Sequence, residues 1–311
     1  MRSAEAYRVS HIPFIRLLLL VTAGAVVLLS SGCPVKPSLS PGVVLIPDQI
    51  YADGYVASDY HESDSYVLRP LFYDRYYSTD FSGQLKPAIL MVHGGGFVQG
   101  SKSDAKQVQL ADYFSTLGYV CFLIEYRLRD DNPPAPAPYD EDPVLAAAHA
   151  SMVDTKAAIR FIRANADEFE VHPELIAVLG ASAGAIAALT AGLSPPHEFN
   201  TDGVVYPIPD NNHPEINPVP QVIVNLWGSA DHLLQYLNPD SPPIFIAHGK
   251  LDESEGTPYA AAVRLAEACD VQQVPYAFYA FPEFAHGAWE GQVDGVPLRT
   301  LIQHFLSTWL H

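Results

Sequence analysis

Cysteine and positive charge are scarce in this sequence. Three cysteines in 311 residues are too few for a disulfide scaffold, so we expect Cys121 and Cys269 to be buried thiols. Lysine and arginine number 17 against 35 aspartates and glutamates, and the net charge of −18 argues against a nucleic-acid-binding surface. The twelve histidines show no H-E-x-x-H or paired Cys/His spacing, so we expect neither a zinc site nor another cofactor.

The apolar run at residues 17–29 is too short for a comfortable membrane span but has the length of a signal-peptide core. Three arginines precede it, and it ends in Leu29-Ser-Ser-Gly-Cys33, which resembles a bacterial lipoprotein signal. The resemblance implies that residues 1–32 are removed and that Cys33 becomes a lipidated first residue. Ser30 departs from this pattern, which prefers leucine at that position. A plain secretory signal and an uncleaved anchor are the alternatives.

The mature protein is therefore expected at a bacterial cell envelope, on the periplasmic or surface side, and bound to the membrane through its lipidated N-terminus. Secretion is the alternative. Residues 33–41 are rich in proline and serine and predict a tether. Residues 42–311 are expected to form a single domain, and the hydrophobic content of 49% supports a sizeable core.

Strands and helices alternate along most of this domain. Strands are predicted at residues 43–46, 66–73, 87–93, 119–124, 221–226, 243–247 and 275–281, helices at 103–117, 144–166, 257–269 and 298–310, and a strand-to-helix pair at 175–189. This alternation predicts an α/β fold, with a mostly parallel central sheet and helices on both faces. No long amphipathic helix precedes residue 80, which argues against a large N-terminal helical cap. The irregular segment 192–220 predicts a functional or flexible insertion.

The strand-to-helix pair contains Gly180-Ala-Ser-Ala-Gly184, which has the G-x-S-x-G spacing of a nucleophile elbow. The helix that follows directs its positive dipole end and the free N–H of Ala183 toward the turn. The alternative is a glycine-containing turn that binds a nucleotide phosphate or nothing. A dinucleotide fingerprint, however, requires glycine where Ser182 stands. The elbow interpretation makes Ser182 a catalytic nucleophile, provided that it has partners.

A serine nucleophile needs a base and an orienting carboxylate, and in an open parallel sheet these are expected just after strand ends. Asp252 and His286 each follow a predicted strand, which gives the chain order Ser, Asp, His. Asp231, one strand earlier, is a competing acid; we favour Asp252 because its loop would lie beside the His286 loop. Two further acids are less favoured, Glu253 and Glu255. Two other histidines at strand ends are expected to tie loops by hydrogen bonds, His93 and His248.

The glycine run Gly94–Gly96 ends a predicted strand and can turn its amides toward a developing oxyanion, because no side chain stands in the way. A merely tight turn is the alternative. A phosphate-binding loop is disfavoured, since Gly95-x4-Gly100 is followed by Ser-Lys rather than by Lys-Ser or Lys-Thr. Three aromatic residues near these loops would either line a substrate pocket or pack in the core: Phe97, Trp227 and Trp289.

Five motifs together resemble the α/β-hydrolase carboxylesterases: His93-Gly-Gly-Gly-Phe97, Tyr126-Arg127, Gly180–Gly184, His248-Gly-Lys-Leu-Asp252 and His286-Gly287. The similarity covers about residues 66–311 and is closest to the H-G-G-G branch, with its hormone-sensitive-lipase-like and feruloyl-esterase-like members. It implies an α/β-hydrolase fold, a triad of Ser182, Asp252 and His286, and oxyanion-hole amides at Gly95, Gly96 and Ala183. The departures are the missing helical cap and two alanines where lipase-like members often carry Asp and Gly, Ala181 and Ala185.

The resemblance further implies a serine hydrolase that cleaves small-molecule carboxylic esters through an acyl-enzyme on Ser182. An amide hydrolase with the same triad, arylformamidase-like or peptidase-like, is the alternative within enzymes. The absence of a propeller domain argues against the peptidase form. A non-catalytic binding protein is the alternative from another class, but such a protein would be expected to have lost a triad residue.

The lipoprotein interpretation can be tested on the full chain expressed in a bacterium. We expect a membrane-associated product whose first residue is acylated Cys33, and we expect Cys33→Ser to leave the membrane fraction because it lacks the thiol that carries the lipid. Mass spectrometry of the N-terminal peptide, with fractionation of both variants, provides the measurement. An unmodified N-terminus at another residue would exclude lipidation.

Overall fold

A computed structural model of the chain describes residues 38–59, 62–202 and 208–310. The predicted signal peptide, the predicted lipidation site at Cys33 and the first part of the predicted tether lie outside these residues. Within the described ranges, no helix combines the length and the apolar character needed to cross a bilayer.

The described strands and helices alternate along the chain after a long N-terminal hairpin. The strands are β1 (Val43–Asp59), β2 (Glu62–Ser78), β3 (Lys86–Val92), β4 (Val120–Ile124), β5 (Val171–Ala181), β6 (Val222–Leu226), β7 (Ile244–Gly249), β8 (Tyr276–Phe281), β9 (Gln292–Val293) and β10 (Val296–Pro297). The helices are α1 (Ala105–Ser115), α2 (Pro143–Ala164), α3 (Ala183–Leu193), α4 (Tyr259–Gln272) and α5 (Leu298–Trp309).

Eight strands form one sheet in the order β1-β2-β4-β3-β5-β6-β7-β8, and β3 to β8 run parallel. Every residue of β4, β6 and β7 is buried, as expected for parallel strands covered on both faces. The chain places β4 on one side of β3 and β5 on the other. The carboxyl ends of β3 and β5 therefore meet where the winding reverses, which is where open α/β sheets bind ligands.

Helices cover both faces of the sheet. Side chains of α2, α3 and α4 pack with Ala88, Leu90 and Val92 on one face, whereas those of α1 and α5 pack with Ile89 and Met91 on the other. The alternation of β3 side chains between two cores follows from the two-residue period of a strand. The predicted fold class, a mostly parallel sheet with helices on both faces, is confirmed. Both cysteines of the described chain, Cys121 and Cys269, are buried free thiols, as expected.

The two N-terminal strands are much longer than the sequence predicts. Short strands were expected at 43–46 and 66–73 with turns between them, but the structure has two paired 17-residue strands. Register shifts interrupt the pairing of β1 with β2 at three places. Such β-bulges allow a polar, turn-like sequence to remain part of a hydrogen-bonded strand pair. The described residues contain no α-helix before Ala105.

The outer half of this hairpin extends past the carboxyl edge of the parallel strands. Only Tyr73–Tyr76 of β2 pair with β4, and Tyr73 is opposite Ile124, the last residue of β4. Because β2 is antiparallel to β4, the part of the hairpin that precedes Tyr73 continues beyond that edge. We call the described residues 49–58 and 65–72 the hairpin arm.

A buried arginine holds the hairpin arm to the rest of the fold. Arg127 follows β4, and its guanidinium donates to Asp154 of α2, to Asp202 and to the carbonyl oxygen of Tyr55 in β1. A Cβ at Gly54 would lie 2.6 Å from Arg127 Nε, so only glycine leaves room for this side chain. The arm is thus attached next to the loop that follows β4.

The predicted tether and the predicted insertion are both partly attached to the fold. Ser40 donates from its backbone N–H and its hydroxyl to Asp112 of α1, so the end of the tether lies against the domain. In the segment 192–220, the buried Lys156 of α2 donates to the carbonyl oxygens of Pro195 and Glu198. This part of the segment is irregular but held along α2.

Candidate active site

Ser182 occupies the turn between β5 and α3 in a strained backbone conformation. Its φ is 55° and its ψ is −121°, a region that residues with a side chain rarely adopt. The turn is held from both sides, because Ser182 N–H donates to Leu226 O at 2.9 Å and Ala185 N–H donates to Ser182 O at 2.9 Å. The serine side chain is therefore presented at the carboxyl edge of the sheet by backbone bonds alone.

Both glycines of the G-x-S-x-G motif are required by close backbone contacts. A Cβ at Gly180 would lie 2.1 Å from the carbonyl oxygen of Gly184. A Cβ at Gly184 would lie 2.2 Å from Val92 O and 2.4 Å from His93 O, at the end of β3. The motif spacing thus reflects the packing of α3 directly against two strand ends.

The structure brings Ser182, His286 and Asp252 together in one hydrogen-bonded chain. His286 Nε2 lies 2.8 Å from Ser182 Oγ, and His286 Nδ1 lies 2.7 Å from Asp252 Oδ2. Because the carboxylate can only accept, Nδ1 carries the proton and Nε2 is left to accept the serine hydroxyl. This is the arrangement in which an imidazole can remove the proton of a serine nucleophile.

The Asp252 carboxylate is fully buried at the base of this chain. Burial by itself raises the pKa of Asp252, but hydrogen bonds from His286 and from Ser254 outweigh it, and the pKa lies below its ordinary value. Ser254 N–H reaches Oδ1 at 2.9 Å. Asp252 therefore stays ionised at neutral pH and can hold His286 in one tautomer.

The loops that carry Asp252 and His286 are bonded to each other. Lys250 N–H donates to Phe281 O and Leu251 N–H donates to Phe284 O, both at 2.9 Å. A Cβ at Gly249 would lie 2.2 Å from Ala285 O, so the two backbones touch. The expectation that these loops lie side by side is met, because β7 and β8 are neighbouring parallel strands.

Asp231, the competing acid, is paired elsewhere. Arg264 of α4 donates to both of its carboxylate oxygens, at 2.8 and 2.6 Å, and this bond holds the pKa of Asp231 below its ordinary value. The ring of His286 is bonded to Asp252 and to Ser182, not to Glu253 or Glu255. Of the four acids weighed from the sequence, Asp252 is the one that the fold brings to the histidine.

The glycine run after β3 turns tightly next to Ser182. A Cβ at Gly94 would lie 3.3 Å from Ser182 Cβ, and one at Gly95 would lie 1.8 Å from Gln99 O. Gly95 and Gly96 have φ of 123° and 64°, which glycine adopts without strain. A Cβ at Gly96 would meet nothing within 4 Å, so the turn is open to solvent at this residue.

Three backbone amides at this place are available to a ligand. Within the described residues, the N–H groups of Gly95, Gly96 and Ala183 donate to no protein acceptor. Ala183 is also the first residue of α3, where the helix dipole favours negative charge. These are the amides that the resemblance assigns to an oxyanion hole, and the fold leaves them without a partner of their own.

The phosphate-loop alternative does not fit the contacts of this segment. Lys102 Nζ donates to Asp48 at 2.8 Å and to Asp74 at 2.7 Å. The lysine thus ties the glycine-rich segment to the hairpin of β1 and β2. It is occupied by two carboxylates and is not offered to a phosphate.

Two of the three candidate pocket aromatics belong to the core. Phe97 is 4% exposed and Trp227 is 2% exposed. Trp289 is half-buried, packs edge-on against Trp227 with ring centroids 4.7 Å apart, and lies three residues after His286. Of these three residues, only Trp289 retains an exposed surface.

The two histidines expected to tie loops do so, but one of them has an unforeseen partner. His93 Nδ1 lies 2.8 Å from Gly94 O, the ring stacks on Tyr126 at 4.2 Å, and burial lowers the pKa of His93 to about 4. His248 Nε2 lies 2.9 Å from Asp252 Oδ2, so the acid is bonded to two histidines. The only signal for this contact in the sequence is the spacing of His248 and Asp252, four residues apart.

A mostly parallel eight-stranded sheet with a Ser-His-Asp chain at a strand-to-helix elbow defines an α/β-hydrolase. The BD-FAE family profile matches residues 74–234, just over half of the chain and including the glycine run and the elbow. The chain belongs to the BD-FAE family.

Curated relatives of the chain include esterases. The chain is 27% identical over 232 residues to "Esterase LipQ" of Mycobacterium tuberculosis, covering 64% of this chain and 51% of LipQ. It is 28% identical over 194 residues to "Esterase LipC" of the same organism, covering 53% of this chain and 44% of LipC. This chain therefore spans about half the length of the curated relatives that it matches.

Solved esterase structures share the fold over nearly the whole described chain. Esterase 2 of Thermogutta terrifontis, with propionate bound, superposes with a TM-score of 0.63 at 21% identity, covering 86% of this chain and 94% of the esterase. The apo form of that enzyme gives a TM-score of 0.61 at 21% identity, covering 88% and 98%. At this identity the likeness establishes the fold alone.

The contact between α3 and β3 predicts a difference between two glycines of the same helix. Gly184→Ala should lower the free energy of unfolding by about 1–3 kcal/mol and displace Ser182, because the new Cβ meets backbone oxygens that cannot move aside. Urea unfolding measures the first effect, and the rate of labelling by a serine-directed fluorophosphonate measures the second.

Gly192→Ala is the matched control in α3. Its Cβ would meet the end of the Ile223 side chain at 2.4 Å, which can rotate away, so the loss of stability should be smaller and labelling should be retained. Equal effects of the two substitutions would show that the contact between Gly184 and the end of β3 does not position Ser182.

Proposed function

We propose that this protein is a serine carboxylesterase, in which Ser182 is the nucleophile, His286 the general base and acid, and Asp252 the residue that orients His286. The observation that carries the proposal is the unbroken chain from Ser182 Oγ through both ring nitrogens of His286 to a buried, ionised Asp252. Such a chain activates an otherwise weak hydroxyl nucleophile.

In the first half of the reaction, Ser182 Oγ attacks the ester carbonyl carbon while its proton passes to His286 Nε2. The carbonyl oxygen becomes an oxyanion, which the amides of Gly95, Gly96 and Ala183 would accept as hydrogen-bond donors. The tetrahedral intermediate expels the alcohol, which takes the proton from His286 and leaves an acyl group on Ser182. Asp252 stays ionised throughout and stabilises the imidazolium.

In the second half, water attacks the acyl-enzyme, and His286 again takes and returns a proton. The side chain of His286 is 32% exposed, so solvent water can reach it without rearrangement of the fold. The products are the carboxylic acid, the alcohol and free Ser182, and no other reactant is consumed.

The family and its curated relatives support ester cleavage, since three of these relatives, LipQ, LipM and LipC, are named as esterases or carboxylic ester hydrolases. The H-G-G-G motif at His93–Gly96 supports a place in the H-G-G-G branch. The hairpin arm extends past the sheet edge at which Ser182 lies, and Trp289 follows His286 by three residues. The exposed part of the His286 side chain supports access by a small-molecule ester.

We also propose that the protein is exported as a cell-envelope lipoprotein, on the strength of the pattern that ends at Cys33. Ser40 is fixed to α1 and β1 begins at Val43, which pairs with Ser78 next to the amino end of β4. The chain thus joins the domain at the edge opposite Ser182. An anchored enzyme would present its site away from the bilayer, toward soluble esters.

The activity is tested with p-nitrophenyl esters of short, long and aromatic acids beside the corresponding anilides. We expect turnover of esters and little turnover of anilides, and we expect Ser182→Ala to lower kcat on the order of 10⁶-fold while the thermal unfolding midpoint is kept. Near-native ester turnover by Ser182→Ala would refute the proposal. Preferential anilide cleavage would favour the amide-hydrolase alternative.

The identity of the acid predicts unequal effects of two isosteric substitutions. Asp252→Asn should lower kcat by about 10⁴-fold, because the amide cannot hold His286 in the required tautomer. Asp231→Asn removes a partly exposed ion pair with Arg264, worth about 0.2–1 kcal/mol, and should leave kcat close to that of the parent enzyme. The reverse ranking in ester turnover would assign the acid to Asp231.

A further inference from the structure

His248 is a second histidine on the Asp252 carboxylate, and the reaction described above gives it no role. It is the penultimate residue of β7, it is fully buried, and its Nε2 lies 2.9 Å from Asp252 Oδ2 and 3.1 Å from Thr257 O. The same Asp252 oxygen accepts from His286 Nδ1 at 2.7 Å. One carboxylate oxygen is therefore shared by two imidazoles.

The contacts of His248 determine its tautomer and its charge. A carboxylate and a carbonyl oxygen can only accept, so Nε2 must carry the proton that both of them share. Nδ1 is buried and has no partner within the described residues, so a proton there would be a buried donor without an acceptor. Burial accordingly lowers the pKa of His248 despite the attraction of Asp252. His248 is a neutral, permanent N–H donor.

We propose that His248 is a positioning residue of the catalytic machinery, which fixes the Asp252 carboxylate and shares its negative charge so that His286 is held at the correct distance and basicity. The proposal deepens the proposed function and rests on it. Ser254 N–H holds Oδ1 of the carboxylate, and His248 holds Oδ2. With both oxygens bonded, the carboxylate plane cannot rotate away from His286.

The hydrogen bond from His248 to Asp252 predicts a direction for the pH dependence of kcat/KM. A hydrogen bond to Asp252 Oδ2 withdraws part of the negative charge that stabilises protonated His286. Loss of this bond would leave the full negative charge of Asp252 to act on His286. The acid limb of the kcat/KM profile would then move to higher pH. The titratable groups that face His248 are Asp252, His286 and Tyr259, whose ring lies 6.1 Å away. All three groups stay in place when His248 alone is replaced.

Three variants separate a positioning role from a structural one. His248→Leu fills the buried site but removes the donor. His248→Gln keeps an N–H close to the position of Nε2. Ile246→Ala removes buried volume from β7 two residues earlier, and Ile246 makes no hydrogen bond to Asp252 through its side chain. We measure kcat, KM, the pH profile on one p-nitrophenyl ester and the thermal unfolding midpoint.

We expect His248→Leu to lower kcat by about 10- to 100-fold, because this is the range for a lost hydrogen bond to a charged group. KM should change little, and the acid limb of the kcat/KM profile should move to higher pH. His248→Gln should restore most of kcat and return the limb to its original position. Ile246→Ala should lower the unfolding midpoint and leave the pH profile unmoved. The proposal is overturned if His248→Leu matches Ile246→Ala in all measurements, or if His248→Gln is no better than His248→Leu.

A spectroscopic measurement keeps this test independent of the proposed activity. The Nδ1–H proton of His286 should give a downfield proton NMR resonance because of its short bond to Asp252. In the Ser182→Ala background this resonance should weaken or shift in His248→Leu and recover in His248→Gln. An unaltered resonance would refute positioning by His248. An altered resonance, together with no ester turnover by the parent protein that retains Ser182, would refute only the esterase function.

Discussion

The close contact between the start of α3 and the end of β3 is the constraint on which the rest of the site depends. Gly184 lies so near Val92 O and His93 O that a single methyl group would not fit. This contact places the elbow serine and the glycine turn after β3 side by side, and the strained φ of Ser182 is the local consequence. The proposed nucleophile and the free amides are therefore positioned by backbone packing, before any side chain contributes.

The other half of the site depends on the electrostatics of one buried carboxylate. Asp252 loses the solvation of water, and three donors replace it: Ser254 N–H, His286 Nδ1–H and His248 Nε2–H. A buried carboxylate with this many donors stays ionised, and a buried histidine with two acceptors on one nitrogen stays neutral. Both groups are thus fixed in the states that the proposed reaction needs, by desolvation and by hydrogen bonds that the β7 and β8 loops supply.

The hairpin of β1 and β2 is the N-terminal element of the described chain, and it reaches the edge of the sheet that carries the site. It adds two antiparallel strands to the sheet and extends past the carboxyl edge, where Arg127 joins it to Asp154 and Asp202. The chain enters the domain at the opposite edge. The hairpin arm therefore extends past the same edge of the sheet at which Ser182 lies.

Sequence patterns predict the α/β class, the elbow at Gly180–Gly184, the glycine turn and a short list of acids and histidines at strand ends. These features are local: each depends on a run of neighbouring residues and on the geometry of one turn. Tertiary structure alone decided between Asp252 and Asp231, gave His248 its partner and lengthened the N-terminal hairpin to 17 residues a strand. Those outcomes depend on which loops and strands become neighbours in space. Residues far apart in the chain, such as Asp231 and Arg264, show no local sequence pattern that predicts their pairing.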